Sequence, residues 1–169
     1  MQVAEKNLSQ TIVEAESIML DMPQVDCLVD NRIWRSHDPK EINELINNSE
    51  INENDELDAA STIKDNVWLL GHGFFSFFIN QGNGLYEVHI GVMPQQRGKI
   101  ALKQAKKALD FMFFETDCLK VVGIIPLSNK SAIKFGRLLG FKSCGIVKHE
   151  YMRGGIIECE KLILKKEFN

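Results

Sequence analysis

The sequence predicts an α/β domain that is built on a mixed sheet and closed by a β-hairpin at its C-terminal end. From Asn66 onward, short segments rich in aromatic and β-branched residues alternate with segments whose apolar residues recur at steps of three and four. Glycine-containing turns separate the first three strand-like segments, which favours an antiparallel meander, and a strand–helix–strand unit follows. Antiparallel neighbours combined with a helical crossover are typical of a mixed sheet.

Length and composition limit the class of protein. The chain has 169 residues, 44% of them hydrophobic and 25% charged, so we expect one domain with a buried core rather than a collagen-like, coiled-coil or disordered chain. Its longest apolar runs, Trp68–Leu70 and Phe74–Ile79, are far shorter than the ~20 residues of a membrane span. The first ten residues lack the basic end and apolar stretch of a signal peptide. We therefore predict a cytoplasmic protein that makes no contact with a membrane.

The net charge of −3 is distributed unevenly along the chain. Residues 1–65 contain 5 basic and 15 acidic residues, whereas residues 66–169 contain 15 basic and 8 acidic residues. We interpret residues 1–65 as an acidic helical portion that ends in a mobile loop, and residues 66–169 as a basic core, together forming a single compact domain. A basic core is typical of a protein that binds an anion.

The acidic portion is predicted to contain two helices. Leu8–Leu20 has apolar residues at helical spacing. A second helix is expected at Pro39–Ile46, because Asp38 can cap its start and proline suits the first turn. The polar, acidic segment 47–58 is predicted to be a loop.

The basic core is predicted to alternate between strands and helices. Gly140 follows the last apolar position of the second of these helices, which is typical of a helix end, and 153–155 (Arg-Gly-Gly) is typical of a hairpin turn. Strands are predicted at Val67–Leu70, Gly73–Ile79, Leu85–Met93, Leu119–Ile125, Lys142–Met152 and Ile156–Leu164, and helices at Ile100–Phe114 and Lys130–Leu139.

The four cysteines are scattered. Cys27, Cys118, Cys144 and Cys159 form no C-x-x-C pair, and no histidine lies at zinc-ligand spacing from them. We therefore predict reduced, mostly buried thiols and no metal site.

The segment Val88–Ala101 is the most informative part of the chain. A predicted strand ends here, a short loop with Arg97, Gly98 and Lys99 follows, and a helix with small residues in its first turns begins. The first N–H groups of a helix have no intrahelical acceptor and, together with the helix dipole, favour an anion. Gly98 would let a ligand approach the backbone. The alternative is a strand–helix connection that carries two basic residues and binds nothing.

Two segments, taken in order, resemble the GNAT N-acetyltransferase superfamily. The run Val88–Ala101 is similar to the segment that carries that superfamily's Gln/Arg-x-x-Gly-x-Gly/Ala loop pattern. Asn129–Phe141 is similar to its second motif, in which alanine follows an asparagine by three residues and Leu-Gly-Phe ends the run. The resemblance covers roughly Asn66 to Leu164 and includes the closing hairpin. The strand Tyr86–His89 followed by Arg-Gly-Lys resembles in particular members encoded by bacteriophages and prophages. The resemblance implies a mostly antiparallel central sheet flanked by helices.

The resemblance also implies an enzyme that transfers an acetyl group from acetyl-CoA to an amine by direct attack, without a covalent enzyme intermediate. The backbone of Ile90–Val92 would polarise the thioester carbonyl and pair with the pantetheine arm of the co-substrate. Asn129 would contact pantetheine as well. Lys99 or Lys134 would reach the 3′-phosphate. N–H groups from Arg97 to Leu102 would hold the pyrophosphate. The residues implied to bind the co-substrate are Ile90, Val92, Arg97, Gly98, Lys99, Ile100, Ala101, Leu102, Asn129 and Lys134.

The chain departs from the family pattern in two places. If Arg97 opens the loop pattern, the internal glycine is absent and the loop is one residue short, so that either the pyrophosphate contacts are fewer or the helix begins earlier. The superfamily often places a tyrosine seven residues after the asparagine, as the acid that protonates the leaving thiolate, and this position is Gly136 here. Both departures favour the alternative of a catalytically silent protein of phage origin, with the same fold, that acts in virion assembly or partner binding.

Acid–base catalysis has four candidate residues. An amine is mostly protonated at neutral pH and needs a base before it can attack. Glu87 and His89 alternate onto one face of their predicted strand and could accept the proton directly or through water. The alternative is a structural polar pair or a pair that faces solvent. Tyr151 and His149 are alternative candidates for the acid, although a strand tyrosine more often packs with its hydroxyl in water.

The remaining charged residues concern partners. Lys103, Lys106 and Lys107 fall on one side of a predicted helix and are interpreted mainly as a solvated face. We expect no nucleic-acid partner, because the net charge is negative and aromatic and basic residues are not interleaved. The expected partners are acetyl-CoA and an amine acceptor. Residues 1–65 would form a lid over the acceptor or, in the silent alternative, a docking segment for phage or host proteins.

Overall fold

Seven strands form one mixed sheet in the computed structural model, which describes residues 32–48, 62–150 and 155–167. Their order across the sheet is β1-β2-β3-β4-β5-β7-β6, and every neighbouring pair is antiparallel except β4 and β5. The predicted mixed, mostly antiparallel sheet with a closing hairpin, formed by β6 and β7, is confirmed. The strands are β1 (Ile33–Ser36), β2 (Val67–Gly71), β3 (Phe74–Asn80), β4 (Leu85–Val92), β5 (Lys120–Pro126), β6 (Lys142–Glu150) and β7 (Ile156–Lys165).

Three helices flank the sheet in the described part of the chain. Asp38 caps α1 as predicted, because its carboxylate accepts the N–H of Lys40 at 2.9 Å. No described helix is long and apolar enough to cross a membrane. The predicted helix Leu8–Leu20, most of the acidic loop and the hairpin turn lie outside the described residues. The helices are α1 (Pro39–Asn48), α2 (Lys99–Glu115) and α3 (Lys130–Leu138).

Strand β1 is absent from the sequence prediction. It has only four residues, two of them exposed, and no alternation of apolar and polar residues. It is held as a strand by its pairing with β2, in which Ile33 lies opposite Gly71 and Ser36 opposite Trp68. The predicted acidic portion therefore contributes a strand to the sheet of the basic core.

The two faces of the sheet have separate apolar clusters. On the side that we call the α1 face, Ile42 and Ile46 of α1 pack against aromatic and aliphatic residues of β2 and β3. On the opposite side, the α2 face, α2 and α3 share a larger cluster with strands β2, β3, β4, β5 and β7. Burying each large apolar side chain contributes about 1.5–3 kcal/mol, so all three helices are held mainly by this packing. The strand residues at the centre of the cluster on the α1 face are Trp68, Leu70, Phe75 and Phe77. Those at the centre of the cluster on the α2 face are Leu69, Phe74, Phe78, Tyr86, Val121 and Leu162.

Strands β4 and β5 pair over only three residues each, Leu85–Glu87 and Lys120–Val122. Beyond this point β4 remains paired with β3 as far as Val92, and β5 remains paired with β7 as far as Pro126. The two parallel strands therefore part toward their carboxyl ends, and each is held by its own antiparallel partner. This opening between β4 and β5 is the main irregularity of the sheet.

Gly84 lies where the two strands meet. Its carbonyl accepts the N–H groups of Leu119 and Lys120 at 2.8 and 3.0 Å. Its φ is +70°, and a Cβ at this position would lie 2.8 Å from the carbonyl oxygen of Asp117. Nearby, the Tyr86 hydroxyl donates to the Asp117 carboxylate at 2.7 Å. Only glycine combines this backbone conformation with so close an approach.

We expect Gly84→Ala to destabilise the protein more than Gly82→Ala. Both glycines have positive φ, +70° and +81°, but a Cβ on Gly82 would meet nothing within 4 Å. Gly82→Ala should therefore cost only the backbone strain, about 1–2 kcal/mol, and Gly84→Ala about 1–3 kcal/mol more because of the collision. Urea unfolding of the two variants measures the difference, and equal losses would contradict the close contact at Gly84.

Candidate functional site

The backbone of β4 supplies one wall of the opening. The Met93 N–H donates to the Gly73 carbonyl at 2.9 Å, so residue 93 directs its backbone groups toward β3. Since this direction alternates along an antiparallel strand, Ile90 and Val92 direct their N–H and C=O groups away from β3 and into the opening. No described strand pairs with them there. An extended, amide-containing ligand could pair with this edge as a further strand would.

The start of α2 lies just beyond β4. Gly98 is its N-cap, with φ of 88°, and makes no side-chain capping hydrogen bond. The Arg97 N–H donates to the Pro94 carbonyl at 3.3 Å and the Leu102 N–H donates to the Gly98 carbonyl at 3.1 Å. The sequence analysis expected the N–H groups from Arg97 to Leu102 to hold a pyrophosphate. The N–H groups of Arg97 and Leu102 already donate to carbonyl groups of the chain, which leaves the four N–H groups of residues 98–101 for a ligand. The helix starts at Lys99, one residue earlier than predicted, as the shortened loop allowed.

The charges at this helix start are the opposite of those that stabilise a helix. The first turn contains no acidic residue, and Arg97, Lys99 and Lys103 are exposed around it. A cation at the N-terminus of a helix is unfavourable by about 0.3–1 kcal/mol, and an anion bound there removes this cost. Space is also present, because a Cβ built on Gly98 or Gly123 would meet no atom within 4 Å. Backbone, charge and space thus fit a phosphate-bearing ligand.

Asn129 lies on the β5 side of the opening. Its N–H donates to the Pro126 carbonyl at 2.9 Å, directly after β5 ends. Its side-chain Oδ1 caps α3 by accepting the Ala132 N–H and the Ser131 hydroxyl, both at 3.0 Å. A ligand contact would therefore use its Nδ2 group. Lys134 is exposed, one turn further along α3.

Gly136 occupies the position at which the resemblance would place a tyrosine. A Cβ there would lie 2.8 Å from Cδ1 of Leu162, which is fully buried in β7. A tyrosine side chain would therefore require the core beneath α3 to rearrange. Any acid that protonates a leaving group must come from another element.

Glu87 and His89 form a pair on the α1 face of β4. Nε2 of His89 lies 3.3 Å from Oε1 of Glu87, and the side chains are 53% and 17% exposed, respectively. The hydrogen bond from His89 lowers the pKa of Glu87, while burial opposes the shift and the charges of His89, His149 and Lys161 add to it. On its other side, His89 lies against the ring of Phe77, with 6.3 Å between centroids. Glu87 is therefore an ionised and weakly basic carboxylate that orients His89.

The strand order brings His149 and Lys161 to the same face. Glu87 lies opposite Val122 in β5, and Val122 lies opposite Ile163 in β7. Lys161 is two residues from Ile163 on β7 and therefore points to the same side of the sheet. His149 of β6 lies opposite Ile157, also on this side. Thus Glu87 and His89 lie together on one face of β4, as the sequence predicted. His149 is near enough for its charge to lower the pKa of Glu87. Tyr151 lies outside the described residues. The sequence analysis missed Lys161, whose relation to Glu87 depends on the order β4-β5-β7.

Burial lowers the reactivity of one phenol and two thiols in the described part of the chain. Burial and the Asp117 hydrogen bond raise the pKa of Tyr86 to about 12. Burial raises the pKa of Cys118 to about 11 and raises that of Cys159 as well, so both are thiols at neutral pH. Cys144 is exposed on β6. Within the described ranges, no three His, Cys, Asp or Glu side chains come together as metal ligands would.

Known structures share this fold. No protein-family model and no curated protein sequence matches the chain. A chimera of the Vibrio cholerae spermidine N-acetyltransferase and hSSAT superposes with a TM-score of 0.64 at 15% identity, over 79% of this chain and 96% of its own. The Salmonella typhimurium protein yncA, solved with its cofactor acetyl-CoA, gives 0.64 at 14% identity over 82% and 95%. The dodecameric Vibrio cholerae spermidine N-acetyltransferase gives 0.62 at 16% identity over 79% and 92%.

At these identities the likeness shows the fold alone. The chain has the fold of GNAT acetyltransferases, as the resemblance implied. Acetyl-CoA and spermidine are ligands named for those other proteins. What this chain binds must be argued from its own residues.

We expect His89→Ala to raise the pKa of Glu87, because its strongest stabilising contact is lost. A carboxyl with a lowered pKa stabilises the fold at pH values above the ordinary Glu value of about 4.3, and this contribution is lost as the pH falls through the folded-state pKa. The stability difference between wild type and His89→Ala should therefore shrink in acid. NMR titration of the Glu87 carboxyl carbon measures the shift. His149→Ala, which removes only a charge, should raise the pKa less; an unchanged pKa in His89→Ala would show that the pair does not form.

Proposed function

We propose that the protein is an acetyl-CoA-dependent N-acetyltransferase in which an amine attacks the thioester directly. The observation that carries the proposal is the opening between β4 and β5. Among the described residues, no strand pairs with the β4 backbone along one wall of this opening. At its mouth lies the N-terminus of α2, where the N-cap residue has no capping side chain and basic residues surround the first turn. The pair of Glu87 and His89 lies on β4 where the opening begins. Phosphate binding, pairing with an extended arm and proton removal are the three tasks that this reaction requires of the protein.

The binding roles follow from the directions of the backbone groups. Ile90 and Val92 would pair with the pantetheine arm, and an N–H of this edge would polarise the thioester carbonyl. The N–H groups of residues 98–101, with the side chains of Arg97 and Lys99, would bind the pyrophosphate. Nδ2 of Asn129 would contact pantetheine from the β5 side, and Lys99 or Lys134 would reach the 3′-phosphate.

The proton roles follow from the electrostatics of the pair. Acetyl-CoA supplies an activated acetyl group, and the protein must supply a neutral amine. Because the pKa of Glu87 is lowered, Glu87 is a poor proton acceptor, whereas His89 is half-exposed and holds its Nε2 3.3 Å from Oε1 of Glu87. We assign His89 as the base, acting directly or through water, and Glu87 as the residue that orients it. His149 is the described candidate for the acid, and Tyr151 stays a prediction.

A second candidate function is a catalytically silent protein of this fold. The observation that favours it is the closed position at Gly136, which leaves no room for the usual tyrosine. The role in phage particle assembly that the sequence resemblance suggested, with the acidic residues 1–65 as docking segment, belongs to this candidate. Binding of acetyl-CoA and turnover of an amine separate the two functions.

We expect acetyl-CoA to stabilise the protein against heat. At ~100 times its dissociation constant it should add about 2.7 kcal/mol, which corresponds to a rise in Tm of roughly 5–11 °C for a chain of this size. Arg97→Ala and Lys99→Ala should each reduce the rise, because each removes a cation beside the bound phosphates. Lys106→Ala, which alters an exposed lysine in the middle of α2, is the matched control and should leave it unchanged. No rise with millimolar acetyl-CoA would exclude the enzyme and favour the silent candidate.

We also expect His89→Asn to lower kcat at neutral pH by roughly 100-fold, because a general base typically contributes at least this factor. Activity should recover partly at high pH, where the amine loses its proton without help. Glu87→Gln should reduce kcat less and leave the Tm rise with acetyl-CoA intact. His37→Asn changes an exposed histidine beside the far edge of the sheet and serves as the control. Release of free thiol, followed with a chromogenic reagent, measures all three; wild-type turnover by His89→Asn at neutral pH would remove His89 as the base.

A further inference from the structure

We infer that the acceptor is an amine that also carries a carboxylate, with Lys161 binding the carboxylate while His89 takes the proton from the amine. The inference rests on the proposed function and specifies its substrate class. The observation that carries it is the juxtaposition of Glu87, His89, His149 and Lys161 on the α1 face.

The sheet register places these four groups on one face. Lys161 lies opposite Ile124, the β5 residue two positions beyond the partner of Glu87, and is therefore beside the point at which β4 and β5 part. His149 is carried by the closing hairpin, in which a register shift between Ser143 and Ile146 interrupts the regular pairing of β6 with β7. Both side chains are partly buried. Their charges reach the Glu87 carboxylate, although they belong to strands that β5 separates from β4.

This part of the α1 face is short of negative charge. Along the described residues of β4, β5, β6 and β7, Glu87 is the one carboxylate that alternation places on this face, and its partner is His89. The basic side chains on the same face of these strands are His89, Lys120, Lys142, His149, Lys161 and Lys165.

The carboxylates of α1 do not compensate these charges. Glu41 accepts hydrogen bonds from the Trp34 indole at 2.9 Å and from the Ser36 hydroxyl, both at the far edge of the sheet. Glu44 is exposed to water on α1. Within the described residues, no carboxylate lies within 4 Å of the Lys161 ammonium.

Lys161 therefore has one positive charge that a ligand can neutralise. A singly charged carboxylate matches it. A diamine or polyamine would place its second cation beside the Lys161 ammonium, where like charges repel. The acceptor class thus differs from spermidine, the substrate named for the structural neighbours from Vibrio cholerae.

Three acceptors of equal length test the inference: 5-aminopentanoate, its amide, and 1,5-diaminopentane. We expect kcat/KM to fall in that order in a thiol-release assay at low ionic strength. Lys161→Met should raise KM for 5-aminopentanoate about tenfold and leave the amide unchanged, because only the charge pair is lost. Lys161→Glu should reverse the preference in favour of the diamine. Lys165→Met, four residues further along the same face of β7 and exposed, is the matched control and should leave all three values unchanged.

Binding without turnover is measured separately, from the His89 and His149 side-chain NMR signals of the protein loaded with CoA, which carries no acetyl group to transfer. The aminocarboxylate should shift them, and the diamine should not at the same concentration. If acetyl-CoA gives no rise in Tm, the proposed function has failed. If acetyl-CoA binds, the proposed binding of acetyl-CoA stands, and the acceptors then decide the acceptor class. That class is wrong if the diamine is the best acceptor or if the three acceptors react equally. It is also wrong if none of the three reacts or shifts the histidine signals.

Discussion

The separation of β4 from β5 is the constraint on which the site depends. These strands share three pairs of residues and then part, because each remains paired with an antiparallel neighbour on its outer side. The contact of Gly84 with the segment before β5, and the Tyr86–Asp117 hydrogen bond, fix the point at which they meet. An ordinary sheet would satisfy the backbone groups of Ile90 and Val92 with another strand. Here they remain available to a ligand, next to the starts of two helices.

The electrostatics around the opening favour ligands over stability. A helix start with Arg97 and Lys99 and without an acidic or capping side chain is less stable than the same helix with a conventional cap. The start of α3 shows the contrast, since the Asn129 side chain accepts the Ala132 N–H there. The proposed function accounts for this difference, because α2 would then receive its anion from a ligand. Under that proposal, binding of phosphate and protein stability are coupled at this helix.

The polar groups on the α1 face show how a sheet brings side chains of distant segments to one face. Glu87 and His89 are two residues apart, but His149 and Lys161 come from the closing hairpin, 60 or more positions away in the chain. The aromatic stack of Trp68 and Phe77, with 4.0 Å between ring centroids, supports the ring of His89 from the core side. The closed position at Gly136 moves the search for an acid from α3 to this hairpin.

Local sequence by itself determined most of the elements and part of the site. Periodicity and turn residues located α1, α2, α3 and the strands β2 to β7 to within a few residues, because these segments carry strong apolar patterns or clear ends. Two-residue alternation was enough to place Glu87 and His89 together, since both lie on one strand. Tertiary structure alone decided that β1 is a strand, that β4 and β5 part after three pairs, and that Lys161 joins the pair on β4. Each of these depends on which strands become neighbours, and strand order is set by packing over the whole sheet rather than by any segment's own residues.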